Sequence, residues 1–342
     1  MAYTTINKST AHFNTVTYSG TTNSSDAITG VGFQPDLVWL KSRSNAGWHW
    51  WTDAVRGVTK TIYSNSTTAE QTNADGVTAF GTDGFTIANN TDINGSGKTF
   101  VSWNWKAGNS AGSSNGDGSI TSTVTANTTA GFSIVKWTGY GGTSTVGHGL
   151  GAVPKFIITK RISGDTASWH CYHASIGNAH DIYLNGANAK ASDTSWNSTT
   201  PTSSVFTVNG ANVNVSGTPY IAYCFAEKTG YSKFGSYTGN GSTDGTFVYC
   251  GFKPTLLLFK RTDTSKNWFI HDNKRKEYNP ERDYLNPNLN ATEADYDTLD
   301  ILSNGFKIRQ SGTGHNESGG TYIYMAIGQT IVGSNNIPCT AV

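Results

Sequence analysis

The chain has 342 residues, a formal net charge of +1, 14% charged and 12% aromatic residues, and 39 glycines. So little charge, so evenly split, excludes electrostatic steering of a polyanion, and Lys274-Arg275-Lys276 is too short a basic tract to imply nucleic acid. No stretch approaches the roughly 18 apolar residues of a membrane span, so no membrane insertion is expected.

Long helices favour Ala, Leu, Glu, Lys and Arg, and the chain is poor in most of these. Thr, Tyr, Trp, Val and Ile separated by Gly, Asn and Ser clusters suit short strands and tight turns, so the expected fold class is all-β. The length exceeds a usual domain, which points to two or three of them. Cys171, Cys224, Cys250 and Cys339 are scattered without zinc spacing and fit free thiols in a reducing cytosol.

The chain opens on a polar arm, Met1 to Ser9, with no apolar signal region. Three signals then recur in one order. An aromatic, a hydroxyl residue and Gly come first (Tyr18-Ser19-Gly20); a proline stands seventeen positions after the aromatic (Pro35), and a lysine six positions further (Lys41). The series returns as Trp137-Thr138-Gly139, Pro154 and Lys160, and again as Tyr237-Thr238-Gly239, Pro254 and Lys260. Between proline and lysine stand DLVWL, KFIIT and TLLLF. These are short apolar runs entered through a residue with no ladder donor, and each reads as a strand buried on both faces between layers.

A tryptophan follows in each copy (Trp48, Trp169, Trp268), then Tyr63-Ser64-Asn65, Tyr183-Leu184-Asn185 and Tyr284-Leu285-Asn286. Last comes what reads as a closing hairpin. Phe85, Phe206 and Phe306 lie on its first strand, and Phe100, Tyr220 and Tyr322 open its second. Its turn is Asn-x-Ser-Gly, starting at Asn94, Asn214 and Asn316, residue types that tolerate left-handed geometry. Proline to closing aromatic spans 65, 66 and 68 residues, so insertions are confined to loops.

This repeat predicts three β-sandwich modules of about one hundred residues each. They occupy 1–107 (with the short arm 1–9), 130–230 and 231–330, with a Ser/Gly/Thr-rich linker at 108–129 and a C-terminal tail at 331–342. Within the linker, Ile120 to Val124 alternates like an edge strand. The second and third modules abut, which favours one compact assembly, in line or around a pseudo-threefold axis. The helical candidates are Thr52 to Gly57 and the acidic stretch Ala291 to Leu302.

The search for chemistry is negative, and neither catalysis nor a cofactor is expected. Asn94 to Thr99 ends like a phosphate-binding loop, but the position that should carry its first glycine is Asp92. The glycine-dense stretch Gly139 to Gly151, with His148, lacks the strand–helix context of a nucleotide site. His170 and His173 flank Cys171, yet their odd separation puts them on opposite faces of a strand, so no metal site is expected. Carboxylates between Glu277 and Asp300 lack the regular calcium loop, and nothing in their spacing selects a glycosidase pair.

Aromatics present in all three copies, Trp48, Trp169, Trp268, Phe85, Phe206 and Phe306, read as core. Trp103 and Trp105 share a face that the third copy fills with Met325 and Ile327, so that face also reads as buried. Aromatics found in one copy are more informative. Trp50 and Trp51 are adjacent on a strand, so one points away from the other. Trp196 lies among Ser, Thr, Asn and Asp. An exposed ring in such company suits a sugar, whose C–H face stacks while its hydroxyls find polar partners. Trp50, Trp51 and Trp196 are the glycan-binding candidates, and a subunit interface is their alternative role.

The phrases GFQPDLVWLKSRS, TAGFSIVKWTG with VGHGLGAVPKFIITKR, SGTPYIAYCFAEKTGYSKFGSYTGNGS and SGGTYIYMAI resemble an uncharacterised protein family of tailed phages, especially marine ones, found in or beside tail-fibre genes. The likeness runs from about Phe13 to Ile327. It implies a non-catalytic virion structural protein, most readily a tail fibre or fibre-tip component exposed on the particle after assembly in the host cytoplasm. A capsid decoration or head fibre, or a carbohydrate-binding receptor-recognition module, are the alternatives. Its implied partners are other virion proteins, further copies of itself (a trimer by analogy with fibres) and host surface glycan. The sequence lacks the fibrous shaft, coiled coil or collagen-like repeat of many fibres, so docking through the modules or the short ends is expected.

Overall fold

The computed structural model describes residues 4–330, which hold 27 strands, a 3-10 turn (Ser9–Ala11) and two single-turn α-helices, α1 (Thr91–Asn94) and α2 (Gly210–Val213). A first strand set comprises β1 (Phe13–Ser19), β2 (Asp26–Ile28), β3 (Leu37–Ser42), β4 (Trp50–Asp53), β5 (Lys60–Tyr63), β6 (Gln71–Thr72), β7 (Val77–Gly81), β8 (Gly84–Ile87) and β9 (Thr99–Trp105). It forms a large sheet ordered β1-β9-β3-β4-β5-β6 and a small one ordered β2-β8-β7.

β10 (Ser113–Asn115) and β11 (Ser122–Asn127) lead into the second set. Its strands are β12 (Phe132–Thr138), β13 (Thr143–Gly147), β14 (Pro154–Arg161), β15 (Trp169–His173), β16 (His180–Tyr183), β17 (Ala191–Ser192), β18 (Val205–Asn209) and β19 (Pro219–Ala226). The large sheet here runs β10-β11-β12-β19-β14-β15-β16-β17, and the small one is β13-β18. The third set comprises β20 (Ser232–Thr238), β21 (Phe247–Tyr249), β22 (Lys253–Arg261), β23 (Trp268–Asp272), β24 (Glu281–Tyr284), β25 (Ala294–Leu302), β26 (Gly305–Ile308) and β27 (Thr321–Gln329). It divides into two four-stranded sheets, β20-β27-β22-β23, counted with the large sheets because its strands correspond to theirs, and β21-β26-β25-β24, counted with the small ones.

The strands entered through proline show why both of their faces are apolar. Along β3, Leu37 and Trp39 face one core while Val38 and Leu40 face another. Phe156 and Ile158 on β14, and Leu256 and Leu258 on β22, join Leu37 and Trp39 in a single cluster; Ile157 and Leu257 turn into separate ones. β9, β19 and β27 alternate in the same way, contributing Trp103 and Trp105, Tyr223 and Phe225, and Met325 and Ile327 to the shared cluster. The period-2 side-chain geometry of a strand therefore serves two cores at once. One is common to all three large sheets; the other lies between each large sheet and its own small sheet.

Several sequence expectations need correction. The strands on either side of Asn-x-Ser-Gly do not form a hairpin: β8, β18 and β26 belong to small sheets, whereas β9, β19 and β27 belong to large ones. The turn is an arch between layers. Thr52 to Gly57 is not helical, because the Asp53 carboxylate leaves β4 and accepts from the backbone N–H of Val55 (3.1 Å) and Arg56 (2.9 Å), which folds the chain back as a turn. Ala291 to Leu302 is not helical either. Its Leu299 and Ile301 alternate into the third small-sheet core along β25.

Residues 108–129, expected as a linker, carry β10 and β11 and extend the second large sheet beyond β12. The arm is also packed: Ile6 is buried in the shared core, and the Ser9 backbone N–H donates to Gln329 Oε1 at 2.6 Å. The tail 331–342, with Cys339, lies outside the described residues; Cys171, Cys224 and Cys250 are free and buried.

Candidate functional site

The first and last recurring motifs of each copy dock on each other. Asn94, Asn214 and Asn316 are buried, and their Oδ1 atoms accept the backbone N–H of Thr21 (2.9 Å), Tyr140 (3.0 Å) and Asn240 (3.0 Å). Their amide groups donate back into the same loops, Asn94 to Asn23 O, Asn214 to Gly142 O and Asn316 to Ser242 O. A Cβ on Gly20, Gly139 or Gly239 would lie 2.3, 2.2 and 2.2 Å from the carbonyl oxygens of Gly95, Val215 and Glu317, so only glycine lets the two loops meet.

The remaining motifs join one strand set to the next. Backbone N–H groups of Glu70, Lys190 and Glu293 donate to the carbonyls of Ile162 (3.1 Å), Thr262 (2.9 Å) and Arg43 (2.9 Å): first set to second, second to third, third to first. Return bonds run from Ala167 to Thr67 (2.9 Å), Lys266 to Ala187 (2.8 Å) and Gly47 to Asn290 (2.8 Å). Trp169 Nε1 donates to Tyr63 O at 2.9 Å and Trp268 Nε1 to Tyr183 O at 2.8 Å.

The lysine of each copy is buried beside these bonds. Lys160 Nζ reaches Thr67 O (2.8 Å) and Ala167 O (2.6 Å), Lys260 reaches Ala187 O (3.1 Å) and Arg261 O (2.6 Å), and Lys41 reaches Ser42 O (2.7 Å) and Asn45 O (3.1 Å). Burial pulls Lys160 and Lys260 down to about 7 and Lys41 to about 8, because an ammonium loses its hydration there.

At the apex of two corners stands a buried ion pair. Arg56 Nε meets Asp53 Oδ2 at 2.5 Å, and Tyr223 of the second set donates its hydroxyl to the same oxygen at 2.7 Å. Arg275 Nε meets Asp272 Oδ2 at 2.6 Å, which also accepts Trp103 Nε1 of the first set at 2.9 Å. Glu70 and Glu293 complete the two guanidinium shells at 3.3 and 2.8 Å. At the third corner His173 and Ile176 take the places of Asp and Arg, and Met325 takes that of the donor. His173 Nε2 contacts the Tyr324 carbonyl at 3.2 Å, and burial lowers its ring to about 4.

None of the three glycan-binding candidates presents a ring face to solvent. Trp50 is sealed in the first small-sheet core, Trp51 in the shared core against Trp169 and Tyr223, and Trp196 in the second small-sheet core edge-on to Tyr172. The burial of Trp50 and Trp51 follows from the double core, which gives both faces of β4 an apolar partner; Trp196, read as a loop residue, joins the second small-sheet core. Of the aromatics read as core, Trp169, Trp268, Phe85, Phe206 and Phe306 are buried, but Trp48 is 43% exposed.

Register explains the exception. The residue equivalent to Trp169 and Trp268 is His49: all three donate their backbone N–H to an asparagine Oδ1, that of Asn65, Asn185 and Asn288. Trp48 stands one residue earlier and therefore points outward. It packs on Tyr63 with ring centroids 5.4 Å apart, and Asn73 holds the Tyr63 hydroxyl at 3.0 Å. The unequal spacing from lysine to tryptophan was the signal for this shift.

The other chemical candidates resolve into packing. His170 hydrogen-bonds Asp181, whereas His173 turns to Tyr324 and Cys171 into the shared core. His148 is buried, with its Nδ1 accepting from Leu150 N at 3.2 Å. Acids of the 277–300 stretch pair with arginines: Glu293 with Arg43 and Arg275, Asp295 with Arg282, and Asp300 with Arg309. Among the described residues no group of three His, Cys, Asp or Glu is placed to hold a metal ion, and no helix is long and apolar enough to cross a membrane.

Fold and site together define an all-β protein with paired sheets, whose recurring residues fasten strands and loops to one another. The chain belongs to the family described as Domain of unknown function (DUF7483), which matches residues 8–330. No curated protein matches the sequence.

Proposed function

We propose that the protein is a non-catalytic structural component of a phage virion, a tail fibre or fibre tip. In this reading three copies of one β-sandwich module, fused in a single chain, close around a pseudo-threefold axis. The observation that carries it is the circuit of backbone hydrogen bonds between strand sets, which joins first to second, second to third and third back to first. The residues most repeated in the sequence are spent on that circuit and on the loops beside it, which is what a rigid building block requires. A fibre protein usually gains threefold character by trimerising; here it is internal, and one chain suits the end of a threefold fibre. The phage assignment rests on the likeness to tail-fibre-associated sequences. Labelling purified particles with an antibody against this chain tests it: decoration of the tail is the expected result. Recovery only from the soluble lysate would overturn it.

A carbohydrate-binding receptor-recognition module is the second reading, favoured by the exposed Trp48 on Tyr63. It predicts glycan-array signals that vanish in Trp48→Ala; signals unchanged in that variant would contradict it.

A further inference from the structure

The third strand set departs from the other two at one place. Seven positions separate Arg56 from Tyr63 and Ile176 from Tyr183, but nine separate Arg275 from Tyr284. In the first two sets Gly57 and Gly177, at φ 96° and 81°, turn the chain straight into β5 and β16, which pair with β4 and β15. Lys276 stands at that point in the third set, followed by Glu277-Tyr278-Asn279-Pro280. β24 then pairs with β25 in the small sheet, and this stretch meets β23 through a single bridge, Ile270 to Leu285.

The displaced strand leaves a cleft of about 260 Å³ whose lining includes Lys253, Lys274, Lys276, Glu277, Tyr278 and Glu281, three basic side chains against one exposed acidic one and one buried one. Glu281 is 1% exposed, and its Oε1 has no hydrogen-bond partner. Burial pushes its carboxyl up to about 8; Arg275 opposes the shift, the charges of Asp272 and Asp283 add to it, and a hydrogen bond from the Asp283 backbone N–H opposes it. At neutral pH the wall thus offers a neutral O–H donor. At the mouth the Tyr278 ring is 71% exposed, with the Lys276 ammonium 5.1 Å from its centroid. A bare inorganic anion would use the lysines and the acid but leave the ring idle. A ring-shaped anion bearing hydroxyls uses all three, and the volume, below the roughly 300–1,000 Å³ of drug-sized pockets, matches one sugar ring.

We infer that this cleft binds a single acidic sugar residue, its carboxylate or phosphate among the lysines, a hydroxyl on Glu281 and its C–H face on Tyr278. The inference does not depend on a virion location. Titration of the full chain with glucuronate, glucose 6-phosphate, glucose and inorganic phosphate, followed by amide chemical shifts, tests it. Either or both acidic sugars shift the amides of residues 273–281, which distinguishes the two anionic groups, and glucose and phosphate bind about tenfold or more weakly. The surface changes Lys276→Ala and Tyr278→Ala weaken sugar binding, and Glu281→Gln, which keeps a donor, retains it. Phosphate binding as tightly as the sugars, or no shift at these amides with any of the four probes, would overturn the inference.

Discussion

Two of the three junctions between strand sets carry a buried Asp–Arg pair, and the third does not. Where the pair stands, the neighbouring set supplies a hydrogen-bond donor at one strand position, Tyr223 or Trp103; where that position is Met325, the acid and the base are both gone. A desolvated carboxylate is costly unless its lone pairs are filled, so pair and donor form a unit that is kept or lost together. The difference teaches that these corners are interfaces satisfied as wholes rather than sums of separate contacts.

Breaking one pair should have the largest effect. Asp272→Ala leaves Arg275 buried without its main partner and should cost about 3–5 kcal/mol in denaturant unfolding; a loss below about 1 kcal/mol would show that the pair is not desolvated. Transplanting the unit sharpens the comparison. His173→Asp with Ile176→Arg should destabilise the protein, and adding Met325→Tyr should recover about 1–3 kcal/mol of that loss through coupling. Strict additivity of the three changes would mean that the corner does not act as a unit.

The lysines give a pH signature. Lys160 is lowered to about 7 in the folded chain, against an ordinary value of roughly 10.4. Between those values the unfolded chain holds more protons than the folded one, so this group's contribution to stability grows as pH rises and is lost as pH falls to 7. Relative to Lys160→Met, the wild type should gain stability between pH 7 and 10 by up to about 1.4 kcal/mol per pH unit; parallel stability curves would contradict this. The smallest effect belongs to Trp48→Ala, expected within about 0.5 kcal/mol of wild type in the same unfolding measurement, in contrast to about 3–5 kcal/mol for Trp51→Ala.

Much of this was legible in the sequence because the residues that cause it recur in every copy. Gly20, Gly139 and Gly239 recur because a carbonyl lies where a Cβ would be, and Asn94, Asn214 and Asn316 recur because one amide satisfies a whole loop. What escaped depends on distant partners. Trp196 and one of Trp50 and Trp51 looked exposed because the residue pattern marked only the proline-entered strands as buried on both faces. Trp48 and His49 exchanged roles through a one-residue shift that the unequal lysine-to-tryptophan spacing signals and strand pairing resolves. The third-set cleft was visible only as extra length between Arg275 and Tyr284, with nothing to show that the strand after it changes sheets.

The common core is tested most directly by native-state hydrogen exchange at Val38 to Leu40, Ile157 to Thr159 and Leu257 to Phe259. One opening free energy shared by all three strands, lowered in all of them by Trp39→Ala, is the expected result. Three different values, with Trp39→Ala felt in the first strand set alone, would mean that each part of the chain folds around its own interior.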